Sequence, residues 1–372
     1  FMKPILEDTR PPNHVGTCGD EDVCCLDIDA TRHEYIVPPS ALLIQRLRLI
    51  VADERDLPLV YLLINVTATV VPLVMVLILS TPSHAYGIAY LATVYGLYLQ
   101  RFMLALHYGT HVAVFRNDLF VGRTLNALAP MVLAPLFGIP SGVYALHHAV
   151  MHHVENNKVG KDLSSTAGFQ RDSVLAFLAY WLRFTIGSCV ELPMYAWKQK
   201  RYSMAAQCAL GFASTFAAYS FTARINSVAA LWIFVVPYFV SSLALMFGNW
   251  SQHIFVDPDK PHCNYRLSYC AINHSDNQYT FNDGYHTVHH VNSRVHWSEL
   301  PSKFLASLDD YAENDGLIFT GVGFFDVGIA VMRGKLDWLA DKYVHVGQPS
   351  RSKEEIIALL RHRLRPVRTK SA

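Results

Sequence analysis

LPLVYLLINVTATVVPLVMVLILS (Leu57–Ser80) runs directly into TPSHAYGIAYLATVYGLYLQ (Thr81–Gln100), and these 44 residues contain no Asp, Glu, Lys or Arg. A helix on a soluble protein keeps a wet, charged face, so a run of this length belongs in lipid. Pro58 to Ser80 is 23 residues, which makes about 35 Å of helix against a hydrocarbon core of about 30 Å. Thr81-Pro82-Ser83 is a turn signal. Ala85 to Leu106 is long enough to return, with Arg101 placed to reach the interface. One membrane hairpin results, and it delivers His107 and His111 back to the side on which it began.

Further along, residues 202–223 and 225–256 are also free of charge and are separated by a short turn at Arg224-Ile225-Asn226. They make a second hairpin. Two other apolar stretches read differently. Residues 124–154 carry Pro130, Pro135, Pro140, Gly138 and Gly142, which interrupt a helix every few residues, so an interfacial or re-entrant segment is expected. Residues 172–198 carry Arg183 and Glu191, costly in lipid, and an interfacial helix is expected there too. With four spans, every histidine cluster falls on one face. Arg46, Arg48, Arg55, Arg116, Arg123, Lys198, Lys200 and Arg201 fall there as well, which makes that face cytosolic by the positive-inside rule.

The predicted fold is an all-α integral membrane protein of two transmembrane helical hairpins (four spans), with interfacial helices and a cytosolic His-rich helical cap. Residues 1–56 read as a cytosolic arm with an amphipathic segment at Ala41–Ala52, and 57–300 as the membrane domain. Residues 301–372 read as a cytosolic helical extension, in which 316–332 packs as a helix rather than crossing.

Composition agrees. Only 16% of the 372 residues are charged, against about a quarter in ordinary soluble domains. The 31 basic and 30 acidic residues leave a net charge of +1, too little for a protein that neutralises nucleic-acid phosphates. The seven cysteines show no repeated spacing and no disulfide framework. No charged segment followed by an apolar one occurs near Phe1, so no leader is expected in that stretch.

The unusual residue is histidine, present 18 times. His107-Tyr-Gly-Thr-His111 is an H-x3-H pair. His147-His148-Ala-Val-Met-His152-His153 contains H-x3-HH. Asn249-Trp-Ser-Gln-His253 closes the last span, and His286-Thr-Val-His289-His290 is an H-x2-HH. On a helix, positions i and i+4 share a face, so His107 with His111, His148 with His152, and Asn249 with His253 each point one way. Alone, an H-x3-H at a helix end reads as two interfacial histidines, and Asn249 with His253 carries almost no signal. Together, eight or nine converging imidazoles exceed the four to six donors that one ion takes, which argues for two ions.

These spacings resemble the three histidine boxes of the membrane fatty-acid desaturases and their hydroxylase relatives, over roughly residues 57–300. His107 and His111 stand for the first box, His148, His152 and His153 for the second, and His286, His289 and His290 for the third. Asn249 and His253 look like the additional N-x3-H of the stearoyl-coenzyme A type. The first and second spacings depart from that type, and His147 stands beside His148 as an alternative ligand. The resemblance implies a non-haem di-iron centre of these nine histidines, with Asn249 holding one iron through water. It also implies O2 as co-substrate and an acyl lipid as substrate. No His-Pro-Gly-Gly haem motif occurs, so electrons are expected from a separate donor, a cytochrome b5 or a ferredoxin.

The expected activity is desaturation of a fatty acyl chain, with hydroxylation on the same scaffold as the alternative. A zinc-dependent membrane hydrolase needs only about three histidines. A metal transporter places ligands near mid-membrane, and spans 58–80 and 202–223 contain no histidine. The expected location is the endoplasmic reticulum membrane, with a plastid or bacterial inner membrane as alternatives. Glu155, Asp162, Asp257 and Asp283 lie beside the boxes as candidate partners of ligand imidazoles. Tyr95, Tyr98, Phe102, Tyr238 and Phe247 are candidate channel residues, and Lys158, Lys161, Arg171, Lys198, Lys200 and Arg201 are a candidate basic docking surface.

Overall fold

The computed structural model describes Asp27, residues 40–347 and residues 350–368. Most of the N-terminal arm, with Cys18, Cys24 and Cys25, lies outside the described residues. Helix α1 (Ala41–Arg48) starts at Ser40, whose hydroxyl accepts from the Leu43 amide. It leads into α2 (Leu57–Leu79), which has Pro58 in its first turn, where a missing N–H costs nothing.

Ser83 caps α3 (His84–His111), and α2 and α3 form the first hairpin. Val66, Val70, Val94 and Phe102 are fully buried in its seam, and the Thr69 and Tyr98 hydroxyls meet across it at 3.0 Å. Val76 and Leu79 are 64% and 75% exposed, an apolar surface that suits lipid and not water.

The proline-rich stretch does break where the sequence requires. Helix α4 (Phe120–Leu128) widens through Ala129–Leu133 and tightens through Ala134–Phe137, around Pro130 and Pro135. Gly138 then turns the chain at φ 78°, against the backbone of Pro237, where a Cβ would come within 2.3 Å. The Gly142 amide bonds back to the Pro130 carbonyl, and the chain returns to the histidines of residues 147–153.

Ser173 caps α5 (Val174–Lys198), which folds onto α6 (Tyr202–Ile225). Phe177 near the start of α5 packs on Trp250, three residues before His253, and Tyr195 near its end donates to Glu155, two residues after His153. Between them Tyr180 bonds Asn249 and Phe184 packs on His147, so α5 runs past the histidine-bearing segments. The last long helix runs from Ser227 through a widened turn at Leu231–Val235 into α7 (Val236–Gln252).

Four helical stretches are long and apolar enough to cross a membrane by length and composition: Glu54–Leu79, Phe120–Phe137, Val174–Lys198 and Ser227–Gln252. Phe120–Phe137 and Val174–Lys198, expected at the interface, thus have the length and hydropathy to cross, whereas α3 and α6, expected to cross but diluted by Tyr, Gly, Ala and Ser, fall outside that group. The chain is an all-α multi-pass membrane protein, its only sheet among the described residues being two short strands.

The two hairpin turns are stapled by one side chain. Asn226 accepts from the Ala229 amide, and its own amide donates to the carbonyls of Leu77 (3.2 Å) and Ser80 (3.1 Å).

Below the membrane body, β1 (Tyr269–Ile272) carries α8 (His286–Val291) through a bond from the Ala271 amide to the Gly284 carbonyl. A Cβ on Gly284 would collide with Asn277 and the Ala271 carbonyl, so only glycine lets this loop close on the strand. Asp27 lies beneath the same loop, accepting from the Asn273 amide, Asn277 and the Tyr285 hydroxyl.

β2 (Leu317–Thr320) pairs in parallel with β1, and α9 (Phe324–Met332) packs on α7 at Gly328, where a Cβ would meet the Ser251 hydroxyl at 2.0 Å. Residues 316–332 are thus a strand and a short packed helix. The last helix, α10 (Lys353–Arg363), ends beside Arg171. Arg171 is fully buried, contrary to its expected place on a basic surface, and donates only to backbone carbonyls, those of Thr166, Ala167, Phe169, Ile254, Val256, Arg363 and Arg365.

Candidate metal centre

Nine of the ten residues singled out by sequence converge in two groups. His107, His111, His148, His153 and His289 form one, and His152, His253, His286 and His290 the other, with the potential ligand atoms of each group within 4.8 Å of one another. The i, i+4 expectation for the second box needs correction. His148 and His152 go to different groups, because Leu146–His152 is wound as a π-helix, whose wider turn brings His148 over His153 instead. The third box divides likewise: His289 joins the first group, His286 and His290 the second.

The rings are oriented from behind. His107 Nδ1 lies 3.0 Å from Asp283, which also accepts from Gln252. His152 Nδ1 lies 2.7 Å from Asp162, itself held by the amide and hydroxyl of Ser164. His253 Nδ1 faces the Leu267 carbonyl at 3.0 Å, and His290 Nδ1 the Asn156 side-chain oxygen at 3.2 Å. Each of these partners is an acceptor, so each Nδ1 carries the proton and each Nε2 turns a lone pair inward.

Those inward nitrogens then crowd one another. His107 and His289 Nε2 are 2.8 Å apart, His289 and His153 3.0 Å, His253 and His286 3.1 Å, and His290 and His286 3.2 Å. Facing lone pairs repel unless a cation lies between them. Two imidazoles bound about 2.1 Å from one ion stand roughly 3.0–3.4 Å apart, close to the spacing here. His111 and His152 Nε2 are buried with no hydrogen-bond partner among the described residues. The donor set fits two metal ions.

Electrostatics point the same way. Burial, reinforced by neighbouring imidazoles, pushes His286, His289 and His290 well below the usual histidine range, which keeps them in the neutral, ligating form. Burial alone would raise the Asp162 carboxyl, but the adjoining His152 holds it below the usual carboxylate range. Of the four acids named from sequence, Asp162 and Asp283 back the histidines, whereas Glu155 accepts from Tyr195 and Asp257 pairs with Arg266. Asn156 was not foreseen. Its signal was present, since an Asn three residues past a box readily takes the left-handed turn found at φ 51°.

Truncating Asp162 or Asp283 to alanine is expected to weaken metal binding about 10–100-fold without unfolding the chain, read by competition with a chromogenic chelator.

Asn249, the tenth residue, has its amide nitrogen committed to the Ser164 carbonyl (2.9 Å) and the Tyr180 hydroxyl (2.7 Å). It lines a cavity whose wall also includes His107, His148 and His286. Leu99, Met103, Phe184, Leu245 and Phe325 make that cavity largely apolar. Of the aromatic residues expected to line it, only Tyr238 does. Phe102 instead stacks on Phe137, Tyr95 bonds Ser241 and Tyr98 meets Thr69. Phe247 rests on Phe177 and Phe325.

Two buried clusters of imidazoles with lone pairs turned inward lie beside an apolar cavity, and they make a candidate metal centre in a membrane protein. The family model for fatty acid desaturase matches residues 81–321, more than half of the chain, and the chain belongs to that family. Membership makes it an enzyme of fatty-acyl oxidation of the desaturase or hydroxylase type. No curated protein and no solved structure matches it.

Proposed function

We propose that the chain is a di-iron desaturase of a fatty acyl chain, using O2 and electrons from a separate donor. The observation that carries this is the crowding of inward-facing imidazole nitrogens in two groups. His107, His111, His148, His153 and His289 would hold one iron. His152, His253, His286 and His290 would hold the other, with Asn249 contributing through water. Bound there, the iron pair supplies the dioxygen activation that cleavage of an unactivated C–H bond requires.

The protein's part is placement. Leu99, Met103, Leu245 and Phe325 exclude water and hold the alkyl chain. Asp162, Asp283 and the Leu267 carbonyl keep the Nδ1 protons away from the centre. Metal analysis of the purified chain should return two iron ions, and mass spectrometry of lipid products an alkene. One zinc ion would overturn the metal assignment, and an alcohol product would overturn desaturation.

The donor is a cytochrome b5 or a ferredoxin, and the membrane we assign is the endoplasmic reticulum. Lys158, Lys161, Lys198, Lys200 and Arg201 are all exposed, and Arg171 is now removed from that set. Complementary charge speeds encounter by an amount that falls with salt. Charge reversal at Lys158 and Lys161 should slow donor-driven turnover roughly tenfold at low ionic strength, with iron content unchanged. Turnover indifferent to both salt and these substitutions would rule out docking there.

A further inference from the structure

Most polar side chains that line the cavity are spent on the protein itself. The Tyr238 hydroxyl donates to the Thr185 carbonyl at 2.6 Å, Thr185 donates to Ser242, and Ser242 donates to the Phe239 carbonyl. Gln252 holds Asp283, and Asn249 holds Ser164 and Tyr180. His147 differs. It lines the same cavity and is only 7% exposed, yet no hydrogen bond among the described residues reaches either of its ring nitrogens, and its Nε2 is completely covered.

Nor does His147 belong to either metal group. Its ring centroid is 6.3 Å from that of His152, and its ring packs edge-on against Phe184 at 4.7 Å. A buried polar group left without a partner costs about 1–3 kcal/mol, and a phenylalanine would fill this apolar corner without that cost. Nδ1 is the ring nitrogen that keeps some accessible surface, so it is the one left for a polar group that arrives with something else, and the cavity is where that something lies.

We infer that His147 is a substrate-positioning residue, hydrogen-bonding an oxygen of the acyl substrate within a few carbons of the carbon presented to the two histidine groups. The substrate class is then an acyl chain oxidised close to an oxygen-bearing end or substituent, such as an amide, ester or hydroxyl. A plain hydrocarbon stretch far from any polar group would leave His147 unpaired. This inference rests on the di-iron reading for the reaction, but the binding step it describes can be measured without metal.

The test uses the full chain in detergent, wild type, His147→Phe and His147→Gln. Octadecanamide and octadecane compete for the metal-free protein, and iron content and product position are measured on the loaded protein. Wild type should prefer octadecanamide at least about tenfold, the worth of one buried hydrogen bond. His147→Phe should lose that preference, while His147→Gln, which keeps a donor and an acceptor, should retain most of it. Products of wild type should carry the new bond near the polar end, and those of His147→Phe should scatter along the chain.

Equal binding of the two probes by wild type overturns the inference. So does equal weakening of both by His147→Phe, or loss of iron from His147→Gln, which would make His147 a ligand. If His147→Phe does not fold, wild type and His147→Gln decide between these outcomes. Absence of iron from wild type would instead overturn the di-iron reading, and the binding comparison would still stand.

Discussion

His286→Ala is expected to abolish turnover by well over about 100-fold, because outer partners of a metal ligand alone are worth 10–100-fold. His286 Nε2 lies 3.1 Å from His253 and 3.2 Å from His290, so it stands at the middle of the four-histidine group. Removing it leaves three imidazoles with no fourth to replace it. His289→Ala acts on the other group, where four imidazoles remain, and its first effect should be on reactivity rather than on iron retention. Both variants should elute as folded protein. His262, exposed and outside both groups, serves as the control and should tolerate alanine within about 0.5 kcal/mol. Iron per chain by inductively coupled plasma analysis, alongside turnover, decides the matter. Full iron and full activity in His286→Ala would exclude the site.

Arg171→Leu should be the most damaging change away from the histidines. The guanidinium is fully buried and is shared among seven backbone carbonyls drawn from the 166–169 turn, the residues after His253, and the end of α10. Hydrogen bonds to a charged group contribute about 1.5–3 kcal/mol each, and a buried acceptor left alone costs about 1–3 kcal/mol. Leucine removes every donor at once. The expected loss is at least several kcal/mol, enough to prevent folding or to release the C-terminal helix. Arg171→Lys should rescue little, since an ammonium has three donors where the guanidinium has five. Limited proteolysis after residue 350 and monodispersity in detergent are the measurements. A stable, protease-resistant Arg171→Leu protein would refute the assignment of Arg171 as the clasp.

The histidines were legible because lipid forbids charge. Against the uncharged runs around them, polar residues at the span ends stand out, and their spacing on a helix is simple geometry. What the letters do not carry is the local winding. His148 and His152 share a face on an α-helix, but Leu146–His152 is a π-turn and separates them. Proline spacing foretold that residues 124–154 break, whereas the depth at which Gly138 turns depends on Pro237, almost a hundred residues away. Arg171 looked like surface because arginine usually is; its seven carbonyl partners come from segments that sequence cannot bring together. The aromatic stripe failed for the opposite reason. Tyr95, Tyr98 and Phe102 turn toward helix neighbours, and other large side chains, Phe184 and Phe325 among them, line the cavity.

The two histidine groups draw on the same pieces of backbone. One turn of chain supplies His148 and His153 to the first and His152 to the second, and α8 divides His289 from His286 and His290 in the same way. Neither pocket is built from its own backbone alone. An ion entering one group would tighten the turn and the helix that the other shares, so a second ion would meet a site whose residual motion is already reduced. Loading should therefore be all or none: protein short of iron becomes a mixture of empty and fully charged molecules, with few half-filled ones.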